Sequence, residues 1–558
     1  MALPPEAWLS TFTSELRRLG VAEEDREARS LLAAMPAGYM EETPPEQAAR
    51  DWLAVRAPDA SQVGALEVRP CAPGSPGDFR LRRTGRQRVE LSTLVPVLES
   101  FGLAVLEAVP WRFVLGEDRP EAYLDDIGVR VSPQAAPSPL EVPSFAGRLV
   151  EAVQAVVAGQ SEVSRLNRLV VGTSLSWREV DLLAAYCAYR RLAGGPKAAG
   201  RAAALGDALT AFPRSAVALV RLFQSRLCAS LPAEGMFAAE ADVLASLAEV
   251  PDLHHYEALQ ECLALVLATT RSNWGLERGA VALKLAAGQV PFLPAPRPWA
   301  EIFVRSPAFE GLHLRFGPIA RGGVRWSDRA SDLRSEILGL ARAQVKKNSL
   351  IVPTGAKGGF VLRAEGTEEA EGKRGYTGLV SALLDVTDNL VGGTVVHPGG
   401  VPCLDGDDPY LVLAADKGTA SFSDLANEVS RQRGYWLGDA FASGGEHGYD
   451  HKAIGITARG AWLAVRRHFR ALGMDAQADE LRVVGVGDMS GDVFGNGLLQ
   501  SRSVRLIGAF DHRHIFVDPT PRAEASFEER LRLSRLPTSS WADFNLEAAS
   551  EGALVAPR

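Results

Sequence analysis

Cysteine is scarce in this chain and scattered where it occurs. The five thiols (Cys71, Cys187, Cys228, Cys262, Cys403) form no CxxC pair and are odd in number, so neither a zinc site nor a disulfide framework is expected. An excess of positive charge is also missing. The net charge is −8 and the pI is near 5.8, which argues against a global basic field for nucleic acid. No uninterrupted apolar run reaches about eighteen residues, so no membrane span is expected. The opening MALPPEAWLSTFTSELRRLG lacks the basic start and apolar run of a secretory signal, and the expected location is the cytoplasm. What is present is 558 residues, 46% hydrophobic, enough for large buried cores. At roughly 150 residues per domain, that length implies about three or four domains.

The pattern along the chain is multidomain α/β. Residues 1–60 read as a helical segment with a break at MPAGYMEETPPEQ, and 61–140 as a small α/β domain. In the latter, DFRLRRTG and WRFVLGED read as strand and turn, and LSTLVPVLESFGLAVLEA as a helix leading into a strand. Val131–Ser144 is a Pro/Ser/Ala linker, and 145–295 reads as all-helical, ECLALVLATTRSNWG included. His254 and His255 lie there without an acidic or cysteine partner at ligand spacing, so no metal is expected. After the Pro-rich Val290–Trp299, glycine becomes dense and helices alternate with short β-rich runs, the pattern of an enzyme core.

Three stretches carry chemistry. In KKNSLIVPTGAKGG, lysines flank SLIVP, which reads as an inside strand, and Lys357 sits in what reads as a glycine turn. Either exposed lysines blunt an edge strand, or Lys347 and Lys357 converge at one end of a cleft. Upstream, Arg321 precedes Gly322-Gly323, leaving its planar fork room to approach a carboxylate or phosphate. SDRASDLRSEILGLARAQVKKN then reads as a helix starting near Ser331 or Asp332 and delivering Lys346 and Lys347; Arg334 and Arg342 read as its solvated face. In the second stretch Asp416 ends the buried strand YLVLAA, placed as a general acid or base, or else as a turn residue. In the third, RVVGV runs into Gly485, Gly487 and Gly491, then a helix and a second strand ending at Asp511, the order of a dinucleotide-binding βαβ start. Ser490 stands where a GxGxxG pattern requires glycine; His512 and His514 read as surface residues.

The motifs ARGGVRWSDR, KNSLIVPTGAKGGFV, DDPYLVLAADKGTASFSD, DAFASGGEHGYDHKAIGITARGAW and GVGDMSGDVFGNG together resemble the glutamate dehydrogenase superfamily, most closely its large NAD-dependent bacterial branch. The resemblance implies an ACT-like domain at 61–140, a substrate-binding catalytic domain at 296–478, and the first part of a Rossmann-type NAD-binding domain at 479–558. It implies Lys357 and Asp416 as catalytic residues, Arg321 at the substrate side-chain carboxylate, and Lys347 or Lys346 at the α-carboxylate. Thr457 and Arg459 would lie beside the nicotinamide, and Gly485, Gly487, Asp488, Met489, Gly491 and Asp511 would hold NAD. A lysine crowded by cations and partly desolvated is expected to have a lowered pKa.

The implied reaction converts L-glutamate to 2-oxoglutarate and ammonium, in a homo-oligomer. A dehydrogenase for an apolar amino acid would have no use for Arg321. The chain is also expected to be shortened at both ends relative to the family. The alternative is therefore a truncated or split remnant that binds a dicarboxylate or subunits, completed by a separate C-terminal polypeptide if at all.

Overall fold

The computed structural model describes residues 6–21, 35–36, 38–56, 64–71, 77–114, 121–133, 142–195, 198–228, 235–347, 354–363, 368–419, 421–446, 451–511, 513–536 and 539–558. Most of the Pro/Ser/Ala linker, all of SLIVP and His512 lie outside them. The chain divides into two compact units, Met1–Ala442 and Ser443–Arg558.

The first unit begins with helices Glu6–Arg18, Tyr39–Glu42 and Pro45–Arg56. An antiparallel sheet of β1 (Ala65–Pro70), β2 (Phe79–Gly85), β3 (Leu103–Phe113) and β4 (Ala122–Val131) follows, in the order β1-β2-β4-β3. One face packs Phe79, Leu81, Ile127 and Val129 against Leu94, Leu98, Phe145 and Leu149; the other buries Phe113 and Leu124 against Phe12, Tyr39 and Trp52. WRF is therefore the end of β3, not the start of another strand.

A layer of helices fills the middle, among them Val142–Val157, Trp177–Leu192, Ala198–Ala211, Pro213–Leu227, Met236–Ala248 and Leu253–Ala268. Ser176 and Glu179 form a reciprocal capping box that starts the second of these. Among the described residues no single helix is long and apolar enough to cross a membrane. The helical region ends earlier than its composition suggests. TTRS forms β5 (Thr269–Ser272), and β6 (Val281–Leu285) follows it. The apolar run before β5 carries no mark of where helix gives way to strand, and antiparallel pairing of the buried TTRS with β6 decides for the sheet.

These strands belong to an eight-stranded sheet in the order β14-β13-β9-β10-β8-β7-β6-β5. Its other members are β7 (Ala300–Arg305), β8 (Phe309–Arg315), β9 (Ala320–Trp326), β10 (Thr354–Leu362), β13 (Val412–Ala415) and β14 (Ala442–Ser443). A hairpin of β11 (Asn389–Val391) and β12 (Thr394–Val396) stands apart. Strand β9 pairs in parallel with β10 and β13, whereas the successive pairs β10–β8, β8–β7, β7–β6 and β6–β5 are antiparallel.

Helix Leu333–Lys347 lies on one face, burying Leu333, Ile337 and Ala341 with Leu312, Leu314 and Val361. Helix Glu369–Asp385 covers the other, with Tyr376, Leu379 and Leu383 against Ile302, Val304 and Phe360. TGAKGG is not a turn but the start of β10. Its small residues let the neighbours close in: a Cβ on Gly359 would fall 2.3 Å from Ile337 Cδ1. Arg334, read as solvated, is buried against Glu301, whose carboxylate also accepts from the Tyr189 hydroxyl at 2.8 Å.

The second unit holds helices His451–Ile454, Ile456–Ala471 and Ala523–Ser534. Its sheet, in the order β15-β16-β17-β18, comprises β15 (Leu481–Val486), β16 (Val504–Phe510), β17 (His514–Val517) and β18 (Leu554–Pro557). Strands β15 and β16 are parallel; the rest pair antiparallel. The core gathers Met489, Leu506, Phe516, Leu533 and Phe544 around the fully buried Trp541, which stacks on Phe516 at 5.1 Å.

Candidate active site

Strand register assembles the cations of the first unit. Across the parallel β9–β10 pair, Arg321 lies opposite Gly355 and Arg325 opposite Gly359, with Lys357 between. Alternation puts these three on one face of the sheet, the face that carries helix Leu333–Lys347. On the far side of β9, Ala415 pairs with Val324, so the chain leaves β13 at Asp416 next to Arg325.

Lys357 Nζ lies 2.7 Å from Asp416 Oδ2, and Arg325 Nε donates to the same oxygen at 2.9 Å. Arg325 Nη1 donates to Glu336 Oε1 at 2.9 Å, and Ser327 Oγ donates to Glu336 Oε2 at 2.5 Å. Thr419 fixes the turn, accepting from the Asp416 backbone N–H at 3.1 Å and donating to the Val324 carbonyl at 2.7 Å. Partial burial works against ionisation of Asp416, but the hydrogen bonds from Arg325 and Lys357 outweigh it and hold the carboxyl below the usual carboxylate range.

The neighbour against Lys357 is thus an anion, where the sequence pattern suggested only cations. The glycines after Arg321 also have a reason other than ligand approach. A Cβ on Gly322 would fall 1.6 Å from the Ala356 carbonyl oxygen, so the close packing of β9 on β10 requires glycine there.

Arg321 itself is exposed and has no ion pair among the described residues. Lys346 is likewise exposed near the end of its helix, and Lys347 is the helix's last residue, its side chain outside the described set.

In the second unit Gly487 follows β15 with φ +140°, its N–H donating to the Phe510 carbonyl at 2.8 Å and its carbonyl accepting from Trp541 Nε1 at 2.8 Å. A Cβ on Gly485 would strike Phe494 at 2.0 Å. Where glycine was looked for at 490, Ser490 closes the turn instead, its N–H donating to Asp488 Oδ1 at 2.9 Å. Gly491 then leads into a short π-helical turn, Asp492–Asn496, and Met489 is buried in the core.

Asp511 follows the last residue of β16, buried, with Oδ1 accepting from the Arg513 and His514 N–H groups at 2.7 and 2.6 Å. Those bonds hold its carboxyl below the usual range, although burial opposes them. Thr457 and Arg459 are exposed near the start of helix Ile456–Ala471. His514 is not a bare surface residue, since its Nδ1 lies 2.7 Å from Ser540 Oγ. His255 has an acidic neighbour after all: Asp252 caps its helix and meets His255 Nδ1 at 2.7 Å.

The model of the bacterial NAD-glutamate dehydrogenase catalytic domain matches residues 242–558, more than half the chain. The chain belongs to the bacterial NAD-glutamate dehydrogenase family. The family's helical motif 3 matches residues 161–229 and its ACT3 domain residues 69–141. The NAD-specific glutamate dehydrogenase of Halomonas elongata is 45% identical over 542 residues, covering 94% of this chain and 33% of that protein. Its counterpart in Mycobacterium tuberculosis is 47% identical over 500 residues, 85% of this chain and 30% of that protein. That of Pseudomonas aeruginosa is 42% identical over 568 residues, 98% and 34% respectively. The chain therefore spans about a third of the length of the curated relatives it matches.

Within this glutamate dehydrogenase family member, sequence reasoning missed Arg325, Glu336 and Ser327. A signal existed for Arg325, because a residue four positions after Arg321 on a strand shares its face. None existed for Glu336, which reads as an ordinary first-turn acid of a helix.

Proposed function

We propose that this chain carries the NAD-dependent oxidative deamination of L-glutamate to 2-oxoglutarate and ammonium. The observation that carries the reading is the Lys357–Asp416 pair at 2.7 Å on the same sheet face as Arg321, which has no ion pair among the described residues. An acid–base pair next to a free guanidinium suits a dicarboxylate amino acid, whose second carboxylate needs a cation of its own.

In this reading Arg321 takes the side-chain carboxylate, and Lys346 or Lys347 takes the α-carboxylate. Those two anchors set Cα and its amino group toward Lys357 and Asp416. Asp416 accepts a proton from the substrate ammonium, leaving a neutral amine. Lys357 donates a hydrogen bond to the developing carbonyl oxygen and orients the water that replaces nitrogen. Overall, glutamate, water and NAD⁺ become 2-oxoglutarate, ammonium, NADH and a proton.

The second unit supports NAD as the acceptor. A glycine turn lies at the carboxyl ends of two parallel strands, Gly491 has only the Asp488 carbonyl within 4 Å of a would-be Cβ, and Asp511 closes the neighbouring strand. We read this sheet as the first part of a Rossmann-type domain. Gly487, Asp488, Met489 and Gly491 would line the pyrophosphate and Asp511 the ribose, while Thr457 and Arg459 would lie toward the nicotinamide. NAD, when bound, takes the hydride from Cα.

The test is glutamate-dependent NADH formation by the purified chain, with Lys357→Ala as control. Formation that disappears in the variant is the expected result. A folded chain that forms no NADH overturns the proposal.

A further inference from the structure

Two cations share one oxygen of Asp416, and they are held very differently. Lys357 reaches Oδ2 on a flexible stem, with Asp416 as its ion-pair partner among the described residues. Arg325 reaches the same oxygen with one edge of its fork while Glu336 holds the other edge, and Ser327 holds the second oxygen of Glu336. The four groups come from β9, the residue after β9, the first turn of helix Leu333–Lys347 and the residue after β13.

We propose that Ser327, Glu336 and Arg325 form a positioning brace that keeps Asp416 ionised and aimed when Lys357 turns from it to the substrate. This rests on the dehydrogenase reading above. Glu336 has a second part: by neutralising Arg325 it leaves Asp416 able to accept a proton. An uncompensated guanidinium would hold the carboxylate too firmly. The charged groups facing Asp416 are Lys357 from β10, Arg325 from β9 and, through Arg325, Glu336 from the helix, with Lys417 its chain neighbour. The net cationic surroundings agree with a carboxyl held below the usual carboxylate range, ionised.

The brace predicts opposite effects at its two ends. In kcat/KM against pH, Arg325→Gln moves the acidic limb upward by about one pH unit, because Asp416 loses an opposite charge. Glu336→Gln moves the limb downward, because Arg325 is no longer compensated. Arg325→Lys, which keeps the charge and loses the fork, returns the limb toward wild type at a lower kcat. A residue acting only as scaffold lowers the rate and leaves the limb in place, or shifts both variants the same way, and either result overturns the brace.

A second measurement separates this from failure of the dehydrogenase reading. A double-mutant cycle between Arg325→Gln and Asp416→Asn is read by thermal unfolding. Wild-type chain inactive on glutamate overturns the reaction, while the cycle still decides the brace: coupling supports it, and additive effects refute it.

Discussion

Asp408 holds together two deeply buried cations of the large sheet, and its removal tests the electrostatic reasoning. Both its oxygens accept from Arg315, at 2.6 and 2.7 Å, and Lys284 Nζ lies 2.7 Å away, with all three side chains about 1% exposed. In Asp408→Ala, Lys284 keeps Asp405 at 2.6 Å. Arg315 keeps only the Pro318 carbonyl and the face of Trp299, so one guanidinium is left buried without a counter-charge. Breaking such a pair costs about 3–5 kcal/mol; the surviving Lys284 partner puts this case near 3 kcal/mol.

The double variant Asp408→Ala/Arg315→Met should be more stable than the single, since the orphaned charge is gone. Urea unfolding of the three chains measures both quantities. A single variant within about 1 kcal/mol of wild type, or a double variant worse than the single, refutes the argument. The effect also depends on pH. Arg315 and Lys284 hold the Asp408 carboxyl below its ordinary range against the cost of burial. Its stabilisation is therefore present above the unfolded-state pKa and is lost as pH falls through the lower folded value. Asp408 also fixes the approach to β13, since its N–H donates to Asp388 Oδ2 at 2.6 Å.

His313 is fully buried with both ring nitrogens unpartnered among the described residues, and burial pushes its pKa down to about 3. A folded pKa below the unfolded one means stability is lost as pH falls below about 6.5, so His313→Leu should gain about 2 kcal/mol on wild type between pH 8 and pH 5, read by thermal unfolding. Gly322→Ala forces a Cβ to 1.6 Å from the Ala356 carbonyl oxygen and should destabilise the first unit by about 3 kcal/mol or more. Gly339→Ala, in open space within helix Leu333–Lys347, should stabilise it by about 0.5–1 kcal/mol, and equal melting of the two variants would count against the packing argument. On its proposed role Arg321 gives the substrate a charged hydrogen bond worth about 1.5–3 kcal/mol, so Arg321→Ala should raise KM for glutamate roughly 10- to 100-fold with a smaller change in kcat; an unchanged KM refutes that role.

The residues proposed to carry chemistry are legible in the sequence because their signals are local. Arg321 before two glycines, Lys357 framed by three, and Asp416 at the end of an apolar run each sit in a window of a few residues, where backbone bulk and strand length already constrain what can follow. Family membership rests on the same short windows and holds over most of the chain.

Tertiary structure decided what those windows could not contain. TTRS became a strand rather than the end of a helix because the large sheet offered it a partner in β6. Arg334 went inside because Glu301 and Tyr189 meet it there, although its neighbours along the helix read as solvated. Arg325 and Asp416, 91 residues apart, are hydrogen-bonded only because β9 lies between β10 and β13 in one particular register. Side-chain type and spacing determine which groups are available to a site. Which of them become partners depends on non-local strand pairing, and a register shift of one residue would turn every one of these side chains to the opposite face.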